Sequence, residues 1–336
     1  MTLEYTQVEL LTLSGPEFRR VSTAPPRPPT EDEIPIIDLA FIDRDLEARK
    51  IIASKVRAAA ENTGFFYIKN HGISEELIER ALSQAKAFFD QPIEKKQLAS
   101  SNTQKNPDGW QGLGSSQINK TETRDRKETF SLRYNLSNDP SVSDPDTLTT
   151  GDGFSWDTTS HLPGFQETTI EFFQSRLTLA RKIIRIFALA LGMPEDYFDE
   201  VITNPGADGL YTHYPAAPVE TPENNEDVDV GIGSHTDIHD EWLDARPIPG
   251  TMVVNIGDLL QRLSNNRFKS TVHRVYNRQP TSRYSMPFFL GFNPDSVCEV
   301  VPSCIDEAHP ALYGPVSSGK WHRNRLELAH GKPISD

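Results

Sequence analysis

The chain has little of several things that would mark it for a particular environment. Its two cysteines, Cys298 and Cys304, are too few for a disulfide framework in 336 residues. No apolar run approaches the roughly 20 residues that a membrane-spanning helix needs. The N-terminus also lacks the basic segment and apolar run of a secretory signal. These absences argue against a disulfide-stapled secreted domain and a membrane protein, so the cytoplasm is the expected location.

Positive charge is scarce as well. The chain has 34 Lys and Arg against 48 Asp and Glu, a net charge of −14, and no dense basic run. Phosphate binding needs clustered cations, so nucleic acid is excluded as an expected partner. Hydrophobic residues make up 36% of the chain, enough for a globular core, and no strong interface patch stands out. We therefore expect a monomer.

The first two thirds of the chain read mainly as helices. Residues 1–33 contain the Pro-rich acidic stretch STAPPRPPTEDE and are expected to form an extended lead-in. A region of helices, short strands and loops follows at 34–165, and a long helix with its connection at 166–207. Apolar spacing and turn residues there predict strands at 34–42, 64–72 and 128–135, and helices at 45–62, 74–90 and 167–191.

From residue 208 the pattern changes to short strands between turn signals. The strand-like runs are 209–215, 230–237, 250–258, 269–276 and 283–292. Helices followed by a run of strands predict an α+β chain whose second half is a sandwich or barrel. We place this core at 208–305 and a C-terminal tail at 306–336.

The stretch GSHTD carries the first candidate metal ligands. His235 and Asp237 are two residues apart in a strand-like run, so both side chains point to one face. His273, in the run STVHRV, supplies a second imidazole. Two histidines and one carboxylate form the facial set that leaves open positions on a non-haem Fe(II). An isolated H-x-D is more often part of a surface turn. The hypothesis of an Fe(II) site therefore depends on the H-x-D pair and the later histidine occurring together, each in a strand-like run.

Ten residues after His273, the tripeptide RYS adds a candidate anion clamp. Arg283 and Ser285 share one strand face. A guanidinium beside a metal suits a dicarboxylate, because its planar fork matches a carboxylate bidentately.

Several longer motifs carry a family resemblance. They are IPIIDL, GFFYIKNHGI, KETFSLRYN, HYP, GIGSHTD, PIPGTMVVNIGDLLQRLSNNRFKSTVHRV and RYSMPFF. Over residues 34–305 the chain resembles the isopenicillin-N-synthase-like family of Fe(II)/2-oxoglutarate-dependent dioxygenases. The resemblance implies a double-stranded β-helix, or jelly-roll, core with N-terminal helices and one long packing helix.

The resemblance also implies roles for individual residues. His235, Asp237 and His273 would be the iron ligands. Arg283, Ser285 and Tyr214 would hold 2-oxoglutarate, and ascorbate would be an additional reductant. No catalytic residue is expected beyond the metal centre. The enzyme would use O₂ to hydroxylate, desaturate or cyclise a small organic molecule of secondary metabolism or catabolism.

The sequence departs from the family after Asp237. Only 38 positions separate His235 from His273, and the family carries two more barrel strands there. About two strands and a turn, roughly 15–25 residues, are therefore expected to be missing. His239 follows His235 at a helical spacing, but the β-like context makes it a turn residue rather than a ligand.

The shortening leaves alternatives open. The chain could be an active short variant, a catalytically impaired pseudoenzyme or binding protein of the same fold, or the product of a lost exon. An oxidase that uses Fe(II) and O₂ without 2-oxoglutarate is a further alternative, against which Arg283 and Ser285 weigh. A zinc hydrolase is weaker, because no general-base motif accompanies the ligands.

Overall fold

In the computed structural model of the chain, the described residues are 4–13, 15–103, 108–117, 124–142, 153–216, 230–236, 241–277 and 279–329. Of residues 11, 230–236 and 276, only the backbone is described.

Helices and strands alternate along the first half, and strands dominate the second. The helices are α1 Leu46–Asn62, α2 Glu75–Phe89, α3 Ile93–Leu98, α4 Phe165–Ala190, α5 Asp258–Leu263 and α6 Ser318–Ala329. The strands are β1 Tyr5–Thr12, β2 Gly15–Ser22, β3 Ile36–Asp38, β4 Phe65–Lys69, β5 Gly109–Gln111, β6 Glu128–Arg133, β7 Ala207–Tyr214, β8 Val230–Thr236, β9 Thr251–Asn255, β10 Val272–Tyr276, β11 Arg283–Ser285, β12 Phe288–Leu290, β13 Val297–Cys298 and β14 Val316–Ser317.

The N-terminal helices begin where the sequence places their caps. The Asp45 side chain accepts a hydrogen bond from the Ala48 amide at the start of α1. The Ser74 hydroxyl accepts one from the Leu77 amide at the start of α2. Each cap satisfies an amide that the helix leaves unpaired. The predicted helices at 45–62 and 74–90 are therefore confirmed nearly to the residue.

The long helix α4 is the centre of the helical layer. Phe165, Phe173 and Leu177 on it are fully buried, and α1 and α2 both pack against it. Burying each such side chain stabilises the fold by roughly 1.5–3 kcal/mol. Gly192, at a φ of 80°, follows the helix in the left-handed conformation that favours glycine.

The described strands form two larger sheets and three strand pairs. The first sheet has the order β11-β7-β6-β5, with β12 also paired to β7. The second has the order β3-β4-β9, and β8 pairs with β10. The predicted strand at 283–292 is interrupted between β11 and β12, where Pro287 has no amide hydrogen to donate to the ladder.

The strand β7 has one face turned to α4 and one turned away. A Cβ on Gly209 would lie 2.7 Å from Nη2 of Arg176 and 3.0 Å from the Phe173 ring, both on α4. Side chains alternate along a strand, so every second residue points the other way. We call the face that is turned away from α4 the inner face of β7. It consists of Asp208, Leu210, Thr212 and Tyr214.

Several strand edges have no partner among the described residues. There, β9 pairs only with β4, β10 only with β8, and β11 and β12 only with β7. Two large apolar side chains at these strands are exposed, Val253 on β9 at 46% and Phe289 on β12 at 55%. A closed jelly roll would cover such edges with a further strand.

The two ends of the chain contain elements that the sequence analysis did not identify. Within the expected extended lead-in, β1 and β2 form an antiparallel hairpin, with Gly15 at a φ of 110° beside the turn. Polar and apolar residues partly alternate in YTQVELLT, the sequence of β1, as is typical of a strand. Helix α6 lies within the expected tail. None of the helices in the described parts of the chain is long and apolar enough to cross a membrane.

Candidate metal and cosubstrate site

The pairing of β8 with β10 brings the two candidate histidine ligands together. His273 is the direct cross-strand partner of His235. Residues directly opposite in an antiparallel pair have Cβ atoms about 4.5–5.5 Å apart on the same face. Asp237, one residue beyond the end of β8, lies outside the described residues, as does His239. The register therefore places the two histidines opposite each other in the strand pair.

The surroundings of His273 suit a metal ligand. Its Nδ1 lies 2.8 Å from the Thr271 carbonyl oxygen. A carbonyl only accepts, so Nδ1 carries the hydrogen and Nε2 carries the ligating lone pair. The Phe65 ring packs edge-on against the imidazole, with centroids 5.3 Å apart. Burial lowers the pKa of His273, which favours the neutral form that binds metals.

The candidate cosubstrate residues meet where β11 begins and β7 ends. Arg283 is the cross-strand partner of Tyr214, and its guanidinium carbon lies 4.9 Å from the centre of the Tyr214 ring. The Ser285 hydroxyl lies 3.5 Å from the Tyr214 hydroxyl. Nη1 of Arg283 is buried and has no hydrogen-bond partner. A buried, unpaired guanidinium nitrogen is costly, and a carboxylate would satisfy it.

A buried polar network lies behind this pair, on the other face of the same strands. Glu128 accepts hydrogen bonds from Trp110 (2.8 Å), Lys96 (2.8 Å) and His213 Nδ1 (2.8 Å). His213 Nε2 lies 3.0 Å from the Ser282 hydroxyl, next to Arg283 in the chain. The network therefore joins β6, β7 and the start of β11, and so helps to fix where the guanidinium points.

The loop from β10 to β11 is fixed in the same region. Asn277 donates hydrogen bonds to the carbonyls of Tyr214 (3.2 Å), Pro215 (2.8 Å) and Thr281 (3.0 Å). Sequence reasoning did not select Asn277, Glu128 or His213. No signal in a single sequence marks them, because their roles depend on the cross-strand register.

Two polar residues of the stretch VVNIGD, Asn255 and Asp258, contact only neighbouring parts of the protein in the hydrogen bonds and ion pair seen here. Asp258 accepts a hydrogen bond from the Ser270 hydroxyl at 2.8 Å and pairs with Arg325 at 2.9 Å. The Asn255 side chain bonds only weakly, at 3.4 Å, to the neighbouring Ile256 carbonyl.

No three metal-binding side chains cluster among those that the structure describes. The proposed set is not tested by that absence, because it includes Asp237, outside the described residues, and the His235 side chain. The donor types fit Fe(II): two neutral imidazoles and a carboxylate leave room for a chelating cosubstrate.

Comparisons with known proteins show which family the chain belongs to. Residues 34–149 match the family described as non-haem dioxygenase in morphine synthesis, N-terminal, and residues 222–292 match the 2OG-Fe(II) oxygenase superfamily. The chain is 35% identical to the 2-oxoglutarate-Fe(II) type oxidoreductase ppzC of Metarhizium rileyi, over 96% of this chain and 94% of the relative. It is 31% identical to hxnY of Emericella nidulans, an oxidoreductase of the same type, over 89% and 90%.

The fold is similar to solved structures of such enzymes. A full-length Neurospora crassa protein, solved in complex with alpha-KG and thymine, superposes with a TM-score of 0.72 at 26% identity, covering 90% of this chain and 99% of that one. The chain belongs to the 2-oxoglutarate–Fe(II) oxygenase superfamily. It is a 2-oxoglutarate-dependent dioxygenase that uses Fe(II) and takes 2-oxoglutarate as cosubstrate, which confirms the resemblance.

Proposed function

We propose that the chain oxidises a small organic molecule of secondary metabolism or catabolism, by hydroxylation, desaturation or ring closure. The proposed iron ligands are His235, Asp237 and His273. The proposed cosubstrate residues are Arg283, Ser285 and Tyr214. The observation that carries the proposal is the buried, unpaired Nη1 of Arg283 beside Tyr214.

Bound Fe(II) and 2-oxoglutarate supply the oxidising chemistry, by coupling decarboxylation of the cosubstrate to the reduction of O₂. The protein side chains bind the cosubstrate and orient it and the metal ligands. Arg283 pairs with the far carboxylate of the cosubstrate, and Ser285 donates a hydrogen bond to it. Tyr214 closes one side of this pocket and excludes water, since it is itself 2% exposed. Thr271 fixes the His273 ring for coordination.

We also propose that this is a jelly roll shortened by two strands after Asp237. The alignment with the Metarhizium rileyi relative runs over 355 residues, more than the 336 of this chain. That relative therefore has residues that this chain lacks. The partnerless edges of β9, β10, β11 and β12 among the described residues support the same proposal.

A catalytically impaired protein of the same fold is the second candidate, and the open edges favour it. Loss of two strands removes packing that would hold the β8–β10 pair in place. An oxidase that does not use 2-oxoglutarate is disfavoured, because it would leave the buried Nη1 of Arg283 without a carboxylate to bind.

The remaining expectations concern the location, oligomeric state and partners of the protein. We propose a cytoplasmic monomer whose partners are a small molecule and O₂, without nucleic acid or membrane partners. The net charge of −14 supports the exclusion of nucleic acid.

The test is turnover of 2-oxoglutarate. Purified protein is supplied with Fe(II), O₂ and 2-oxoglutarate, and succinate is measured. We expect slow succinate formation without added substrate, abolished in His235→Ala and strongly reduced in Arg283→Ala. Arg185→Ala is the matched control, because Arg185 forms a bidentate pair with Asp199 away from the site. Folded protein that forms no succinate would support the impaired alternative instead.

A further inference from the structure

A row of three side chains crosses the inner face of the first sheet at the end remote from Arg283. Arg133 on β6 and Phe289 on β12 are both direct cross-strand partners of Asp208 on β7. Directly opposite residues point to the same face. The row Arg133–Asp208–Phe289 therefore lies on the face of the sheet that is turned away from α4.

The row and the proposed cosubstrate residues lie at opposite ends of one face of β7. Asp208 is six residues before Tyr214 on β7, about 20 Å at the rise of a strand. The row therefore shares a sheet face with Tyr214 and lies at the other end of β7.

Each of the two polar side chains of the row has one atom without a partner, although the Asp208 carboxylate also accepts a hydrogen bond from Ser131. Nε of Arg133 and Oδ1 of Asp208 are buried and have no hydrogen-bond partner. The two side chains approach only to 4.0 Å, between Nε and Oδ2, and remain 31% and 17% exposed. Buried polar groups left in this state call for an explanation, and a bound ligand is one.

The chemistry of the row defines what it would recognise. A guanidinium donates and a carboxylate accepts, and together they carry no net charge. A neutral group with a donor next to an acceptor matches this pair better than an anion or a cation does. The Phe289 ring, 55% exposed beside them, offers an apolar surface to a flat ring.

We propose that Arg133, Asp208 and Phe289 form a substrate subsite for a cyclic amide, such as a lactam or imide. This inference rests on the proposed function, because it assigns the substrate class of the same site. The ring N–H donates to the Asp208 carboxylate, and the adjacent carbonyl accepts from the Arg133 guanidinium. Phe289 packs against the ring.

Binding of simple probes tests the subsite without relying on turnover. δ-Valerolactam and thymine each carry a ring N–H beside a carbonyl, whereas N-methyl-δ-valerolactam and 1,3-dimethylthymine have no ring N–H to donate. Affinity is measured by saturation-transfer NMR on protein loaded with Zn(II), a redox-inert substitute for Fe(II), with and without 2-oxoglutarate. We expect the N–H compounds to bind about 10–100-fold more tightly than the N-methyl compounds, the range for hydrogen bonds to charged groups.

Variants of the row test whether the lactam binds there. Asp208→Leu and Arg133→Met should each weaken lactam binding about 10–100-fold and leave 2-oxoglutarate binding, at the other end of β7, nearly unchanged. Arg185→Met is the matched control, and thermal denaturation confirms folding. Equal binding of the N-methyl compounds, unchanged binding in both variants, or a protein that binds 2-oxoglutarate but neither lactam would overturn the proposal. Failure to bind 2-oxoglutarate would instead count against the proposed function.

Discussion

Arg283 and Tyr214 face each other across β11 and β7, with the guanidinium carbon 4.9 Å from the centre of the tyrosine ring. This contact orients the guanidinium, while its Nη1 remains buried and unpaired. A cation held in place with unused hydrogen-bonding capacity is pre-organised for an anion. This is the site that we propose for the far carboxylate of 2-oxoglutarate.

The first prediction concerns the geometry of this cation. Arg283→Lys keeps the charge but loses the planar fork, so the KM for 2-oxoglutarate should rise about 10–100-fold. Arg283→Ala should raise it further. Steady-state succinate formation over a range of 2-oxoglutarate concentrations measures both. A lysine variant with unchanged KM would show that the guanidinium does not contact the cosubstrate.

The second prediction concerns Glu128 as a positioning residue. Burial alone would raise the pKa of Glu128, but hydrogen bonds from His213, Lys96 and Trp110 lower it, so it stays ionised. Glu128→Gln removes the charge that holds His213 and, through Ser282, the start of β11. The KM for 2-oxoglutarate should rise several-fold, with little change in kcat at saturation.

A matched variant separates positioning from general stability. Asp139 is also a buried carboxylate, held by two hydrogen bonds of 2.7 Å from Arg181. Breaking either pair should destabilise the protein by about 3–5 kcal/mol. Asp139→Asn should nevertheless leave the KM for 2-oxoglutarate unchanged. Equal effects of both variants on KM would remove the positioning role of Glu128.

The third prediction concerns the stability cost of Asp208. Burial raises the pKa of Asp208 from 3.8 to about 6. A raised folded-state pKa means that its contribution to stability is complete below about pH 4 and is lost as the pH rises through about 6. Asp208→Asn removes this loss and should stabilise the protein by about 1–3 kcal/mol near neutral pH.

Urea denaturation at several pH values measures this effect. The advantage of Asp208→Asn should shrink as the pH falls and vanish near pH 4. A gain in stability together with a loss of lactam binding would be typical of a functional residue. A variant that is less stable than the parent at every pH would show that Asp208 is a structural partner of Arg133.

The fourth prediction concerns the open edge of β9. In an antiparallel pair, alternate residues bond to the partner strand. If β4 is the only partner of β9, amide hydrogen exchange should alternate between slow and fast along residues 252–255; the Thr251 amide is left out because it donates to the Ile248 carbonyl. Uniform protection of these four amides in a monomer would mean that another segment covers this edge. The proposed shortening of the sheet would then be wrong.

Much of the helical layer could be predicted from local signals. Asp45 and Ser74 mark the N-caps of α1 and α2, and the spacing of apolar residues predicts α4. Both signals are local, because helix formation depends on neighbours within a few residues. The sequence also places His235 and His273 in strand-like runs, and the register then pairs them.

Other features depend on register, which local patterns do not encode. The row of Arg133, Asp208 and Phe289 joins residues up to 156 positions apart, and each looks ordinary in its own segment. Asn277 resembles any turn asparagine until its three carbonyl partners are known. The hairpin of β1 and β2 was obscured by the Pro-rich stretch that follows it.

The central claim is that the shortened core still brings His235, Asp237 and His273 around one Fe(II) next to the Arg283 pocket. Anaerobic titration with Fe(II) and then 2-oxoglutarate tests it most directly, through the visible charge-transfer band of the chelate. We predict a band in the parent protein, its absence in His273→Ala, and a higher half-saturation concentration of 2-oxoglutarate in Arg283→Ala. A folded parent protein that gives no band at saturating Fe(II) and 2-oxoglutarate would contradict the claim.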